Sequence, residues 1–133
     1  MPWKHKNLRH VKDAAAEHGF GEIQEARFPT EELEAANTGL GYLILRPDKR
    51  QPFAHRHKAA EEIYVVLSGS GRLKLDDEVL EVDTMDAVRV APQVARSFEA
   101  GPEGLEILVF GPRHEGDAEI VEDFWESVPP LAS

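Results

Sequence analysis

Residues 52–71 read Pro52-Phe53-Ala54-His55-Arg56-His57-Lys58-Ala59-Ala60-Glu61-Glu62-Ile63-Tyr64-Val65-Val66-Leu67-Ser68-Gly69-Ser70-Gly71, and the chemistry-bearing side chains of the protein gather here. His55 and His57 stand two apart. Side chains of an extended strand alternate between faces, so both imidazoles project the same way. The run Ile63, Tyr64, Val65, Val66, Leu67 is apolar and rich in β-formers, as a buried strand requires. Glu62 heads that run, five positions after His57. Folding the chain back through Lys58, Ala59 and Ala60 brings this carboxylate across from the histidine pair. Two neutral imidazoles and one carboxylate meeting at a point suit a divalent transition metal and leave coordination positions open.

Downstream, Ser68 to Gly71 supplies glycines for the positive φ of a tight reversal. A phosphate cradle is excluded there, because no helix follows whose N-terminus would face an anion. Residues 72–75 alternate with Leu73 and Leu75 inward, 76–78 make a hairpin, 79–82 return, 83–86 turn, and 87–90 go forward again. Pro92 and Gln93 break the pattern. Residues 95–100 resume it with Arg96 and Phe98 on one face, 101–104 turn, and 105–110 form a last buried strand. The tail, 113–133, is acidic around Ile120, Val121, Phe124 and Trp125 and reads as a packed cap over one end of the barrel or over a partner subunit. His114 reads as solvent-facing.

Upstream, residues 41–46 hold Tyr42, Leu43, Ile44 and Leu45, a core strand, before Pro47 and Asp48 turn the chain. Residues 22–28 alternate as a strand ended by Pro29, and 30–36 suit one or two helical turns. Leu8, Val11, Ala14 and Ala15 fall at helical spacing between a capping Asn7 and Gly19, predicting a short helix over 8–18. An extended arm against a neighbouring subunit is the competing account. His5, His10 and His18 lack a carboxylate at ligand spacing and read as solvated. Eight or more short strands separated by turns imply a sandwich or small barrel.

The chain's 133 residues suffice for one domain with its own core. Its net charge of −10 argues against nucleic acid or an anionic membrane surface as partner. There are no cysteines, which excludes thiolate catalysis and disulfides. With a polar start and no stretch of about 20 apolar residues, a cytoplasmic location and no membrane span are expected.

The site stretch resembles the first motif of the cupin family, G-x5-H-x-H-x3,4-E-x6-G: His55, His57, Glu62 and Gly69 match it, while Lys49 replaces the leading glycine. The second motif, G-x5-P-x-G-x2-H-x3-N, aligns poorly. Met85 falls at its first glycine, Ala91 at the proline, Gln93 at the second glycine, Arg96 at the histidine and Ala100 at the asparagine. The resemblance, running from about Tyr42 to Phe110, implies an all-β fold, the double-stranded β-helix or jelly-roll barrel. The barrel core then spans about 40–111, with an N-terminal arm (1–39) and a C-terminal tail (112–133).

It further implies a metal held by His55, His57 and Glu62, of the kind Fe, Mn, Ni or Zn, and a small, oxygen-bearing, anionic substrate. Arg96, Tyr64, Phe53 and Phe98 are the residues expected to meet that molecule, and Phe53 and Tyr64 equally suit plain core filler. Arg96 occupies the place of the family's fourth ligand and leaves two accounts open. Its guanidinium either anchors an anionic group of the substrate, or pairs with Glu62 in a metal-free site. Oxygenation, isomerisation and decarboxylation occur in such families. A metal-free module binding a sugar or effector, and a purely structural dimer, are the other functions considered. A homodimer is expected in each case.

Overall fold

Described residues 2–132 of the computed structural model contain eight strands: β1 (Gln24–Arg27), β2 (Thr38–Leu45), β3 (Ala54–His57), β4 (Glu62–Leu75), β5 (Glu78–Val82), β6 (Ala87–Val90), β7 (Arg96–Pro112) and β8 (Ala118–Val121). All pairings between them are antiparallel, in the order β1-β2-β7-β3-β8, with β4 joined to β5, β6 and β7. The sheet curls around a core that includes Leu45, Tyr64, Val66, Leu73, Phe98 and Ile107. Burying each such side chain contributes on the order of 1.5–3 kcal/mol. This is the all-β jelly-roll that the resemblance implied, and among its described residues no helix is long and apolar enough to cross a membrane.

The two glycine-rich reversals do not exist. Residues 68–71 lie within the unbroken 14-residue β4, and 101–104 within the 17-residue β7. The two strands pair along nearly their whole length, with register shifts between Val66 and Ser68 and between Gly69 and Gly71. These glycines therefore serve bulges that bend two long strands together, not turns that end short ones. Gly69 does adopt the expected positive φ, +84°. The property that suggested a turn is real, and the bulge uses it.

Three further expectations are corrected. The single helix over 8–18 is two pieces, a 3-10 turn at Leu8–His10 capped by Asn7 and a helix α1 at Ala14–Glu17 capped by Asp13. Asp13 ends the first run because its carboxylate accepts from the amides of both Ala15 and Ala26, tying the segment to β1. Residues 30–34 form a turn and 35–36 are irregular, with Glu34 at positive φ and the Thr30 hydroxyl spent on the Leu40 amide. The tail caps a sheet face instead of a barrel end. Trp125 donates from Nε1 to the Ser97 hydroxyl, and Arg50 lies 4.6 Å over its ring.

Beneath that tail is a buried ion cluster. Glu99, 1 % exposed, receives Arg50 Nε at 2.8 Å and Arg72 Nε at 2.7 Å. The same guanidinium groups reach onward to the Val128 and Pro129 carbonyls. Burial works to raise the Glu99 carboxyl, but the hydrogen bonds from Arg72 and Arg50 outweigh it and hold it below the usual glutamate range.

Candidate functional site

β3 and the start of β4 place the candidate residues. His55 and His57 project from one face of β3, and the loop 58–61 returns the chain so that Glu62 begins β4 opposite them. His57 Nε2 lies 3.1 Å and His55 Nε2 3.4 Å from the same oxygen, Glu62 Oε1. One ligand atom from each of the three falls within 4.8 Å of the others. The Tyr64 hydroxyl donates to that oxygen at 2.9 Å. Gly111 makes room beside it, since a Cβ there would stand 3.2 Å from Glu62 Cγ.

Burial raises the Glu62 carboxyl; the hydrogen bond from His55, the field of His57 and the Tyr64 hydroxyl more than offset this, and the net shift is downward. Tyr64 is pushed well above the ordinary phenol range, first by burial and then by the Glu62 charge. The tyrosine therefore stays a hydrogen-bond donor at neutral pH.

Asp117 completes the arrangement, and sequence reasoning missed it. Its Oδ2 stands 3.3 Å from His57 Nδ1, and its carboxylate accepts from the amides of Ala59 and Ala60 in the loop between the ligands. Burial acts to raise this carboxyl, and the Ala60 and Ala59 amides and the His57 field bring it below the ordinary value. Nothing in the tail's acidic composition singles Asp117 out, because its partners lie 57 and 58 residues earlier in the chain.

The His57 ring is thus held between two carboxylates. Its Nδ1 is buried and makes no hydrogen bond of good geometry. If the neutral ring carries its proton on Nε2, a lone pair faces Asp117; if on Nδ1, a lone pair faces Glu62. A cation bound by Nε2 and Glu62 removes the conflict, with Nδ1–H left to Asp117. The two histidine–carboxylate spacings also fit. Ligands about 2.1 Å from a metal stand about 3.0–3.4 Å apart in octahedral or tetrahedral geometry, and the histidine nitrogens stand 3.1 and 3.4 Å from the carboxylate oxygen.

His57 and Glu62 border an open cavity of about 510 Å³, whose lining mixes apolar Val11, Phe28, Leu40 and Val109 with charged Lys12, Glu31, Glu32 and Arg113. None of the expected substrate contacts, Arg96, Tyr64, Phe53 and Phe98, borders this cavity, and Tyr64 is 2 % exposed. Arg96 pairs with His55 across the β3–β7 ladder and is 1 % exposed. Its Nη2 and Nη1 approach the Ala91 and Pro92 carbonyls at 3.3 and 3.5 Å, and its Nε has no partner. No Glu62–Arg96 ion pair forms: Glu62 takes its contacts from His55, His57 and Tyr64 instead. Phe98 packs edge-on against Tyr64 inside the core, at 5.3 Å between ring centres. Phe53 precedes β3 and packs against Phe20, bordering a separate cleft with Phe124 and Trp125. Neither aromatic borders the cavity beside Glu62.

The family model described as "Cupin domain" matches residues 41–111. The uncharacterized protein MJ1618 of Methanocaldococcus jannaschii is 37% identical over 71 residues, 51% of this chain and 57% of that protein, so the chain spans little more than half the length of this relative. Among solved structures, the polyketide cyclase RemF of Streptomyces resistomycificus superposes with a TM-score of 0.71 at 22% identity, covering 92% of this chain and 90% of that one. A cupin protein of Bacteroides fragilis gives 0.68 at 21%, covering 87% and 88%. Oxalate decarboxylase of Bacillus subtilis gives 0.66 at 23%, covering 80% of this chain and 30% of its own. At these identities the likeness shows the fold. With the family match over more than half its length, this chain belongs to the cupin family.

Proposed function

We propose that His55, His57 and Glu62 hold a divalent transition metal beside the cavity, and that a small oxygen-bearing molecule binds there. The observation that carries this is the convergence of one ligand atom from each of His55, His57 and Glu62 within 4.8 Å, at a His57 ring flanked by two carboxylates. The bound ion supplies Lewis acidity, polarising an oxygen of the neighbouring molecule. Tyr64 fixes the Glu62 carboxylate through its donated hydrogen bond. An anionic substrate was expected from Arg96; with its guanidinium turned to backbone carbonyls, that part of the expectation has no support.

The test is a thermal melt of chelator-treated protein with Mn, Ni, Zn and, under anaerobic conditions, Fe added as divalent ions. A ligand at 100 times its Kd adds about 2.7 kcal/mol to stability, so at least one metal should raise Tm, and His57→Ala should abolish the rise. No shift with any metal would overturn the proposal and favour the metal-free binding module.

A further inference from the structure

We propose that Asp117 is the positioning residue of the metal site: from the C-terminal tail it fixes the tautomer and rotation of the His57 ring and the loop that sets His57 against Glu62. This rests on the metal reading above. Asp117 lies just before β8, whose residues Ala118 to Val121 pair with His57 to Ala54 on β3. The pairing of Ala118 with His57 brings Asp117 to the end of the strand that carries both histidines. Its own carboxylate is 8 % exposed and fixed at both oxygens: Oδ1 takes the Ala59 amide at 3.1 Å and Oδ2 the Ala60 amide at 2.9 Å. The main chain answers the same anchor, the Lys58 amide donating to the Asp117 carbonyl at 3.1 Å.

A carboxylate so constrained presents Oδ2 3.3 Å from His57 Nδ1 and favours the ring proton on that nitrogen, leaving Nε2 with its lone pair toward the ligand oxygen of Glu62. Two functions are joined in one side chain. Three consecutive amides, Lys58 to Ala60, hang from residue 117, and these are the residues that turn the chain from the second histidine to the glutamate. The tail is therefore part of the site and not only a cover for the sheet.

Asp117→Asn separates orientation from mere folding. An asparagine offers one acceptor in place of two: with its oxygen at the Oδ1 position the Ala60 amide and His57 Nδ1–H lose theirs, and with it at the Oδ2 position its NH2 faces the Ala59 amide, which keeps only the 3.3 Å contact. Divalent-metal affinity, measured by competition with a chromophoric chelator, should fall about 10- to 100-fold. In parallel, long-range proton–nitrogen NMR on metal-free protein should find the His57 proton on Nδ1 in the parent chain, and less of it there in the variant. Equal metal affinity and an unchanged tautomer in D117N would overturn the proposal. If the parent chain binds no metal, the metal reading fails by itself, and the NMR comparison still decides whether Asp117 sets the ring. A variant that does not fold leaves the parent spectrum to decide, where a proton on Nε2 would contradict the assignment.

Discussion

Gly69 of β4 lies against the main chain of Gly104 in β7, one residue before its ladder partner Leu105, with no room for a side chain: a Cβ on Gly69 would stand 2.0 Å from the Gly104 carbonyl oxygen. Gly71 is as tightly placed, since a Cβ there would stand 2.1 Å from the Glu99 carbonyl oxygen. The obstacle is backbone in both cases and cannot rotate away. Gly69→Ala combines this clash with a positive φ, so it should destabilise by about 3 kcal/mol or more. Urea denaturation measures it; a loss under about 1 kcal/mol, the usual cost of a surface change or less, would show that the bulge is not the constraint described.

Glu99 ties the tail to the sheet through Arg50 and Arg72. Replacing it with glutamine leaves two partly buried guanidinium groups without their charge partner, at a cost of about 2–3 kcal/mol. The emission of Trp125, buried beside this cluster, should shift to the red as the tail loosens, against the constant signal of exposed Trp3.

The same cluster predicts an acid limit. The folded Glu99 carboxyl sits below its unfolded value, so the folded chain binds its proton less readily than the unfolded chain. Its contribution is fully present above about pH 4.3, the unfolded value, and is lost as pH falls through the folded one. Urea midpoints followed from pH 6 to about pH 3 should drop more steeply in the parent chain than in Glu99→Gln. Parallel curves would contradict the assignment.

How much of this was legible in the chain depends on the range of the interaction. His55, His57 and Glu62 were readable because strand alternation and one short loop suffice to bring them together. β2, β5 and β6 were readable for the same local reason. The bends at Gly69 and Gly104 were mistaken for turns, since a positive-φ glycine serves either purpose and only the partner strand tells them apart. Asp117 and Glu99 passed unnoticed. Each acts on residues distant in sequence, and no spacing rule connects them to their partners.

Tyr64→Phe removes the hydroxyl donated to Glu62 and leaves the ring packed on Phe98. A hydrogen bond to a charged group contributes about 1.5–3 kcal/mol. The metal-free protein should lose stability in that range, with the fold intact by circular dichroism. No loss would mean that the hydroxyl does not restrain the carboxylate.

Arg96 and His55 are directly opposed in the β3–β7 ladder, so their side chains share a face. Arg96→His therefore projects an imidazole beside the ligand set and removes a buried guanidinium held only by two long carbonyl contacts. Metal should bind at least about tenfold more tightly, 1.4 kcal/mol, in chelator competition. Unchanged or weaker binding would place residue 96 outside the coordination sphere.

The metal content of protein purified without a histidine tag addresses the central claim most directly. Elemental analysis should find close to one equivalent of a transition metal per chain, retained through gel filtration and lost from both His57→Ala and Glu62→Gln. Parent protein free of metal even after reconstitution, or equal metal in the parent and both variants, would contradict it.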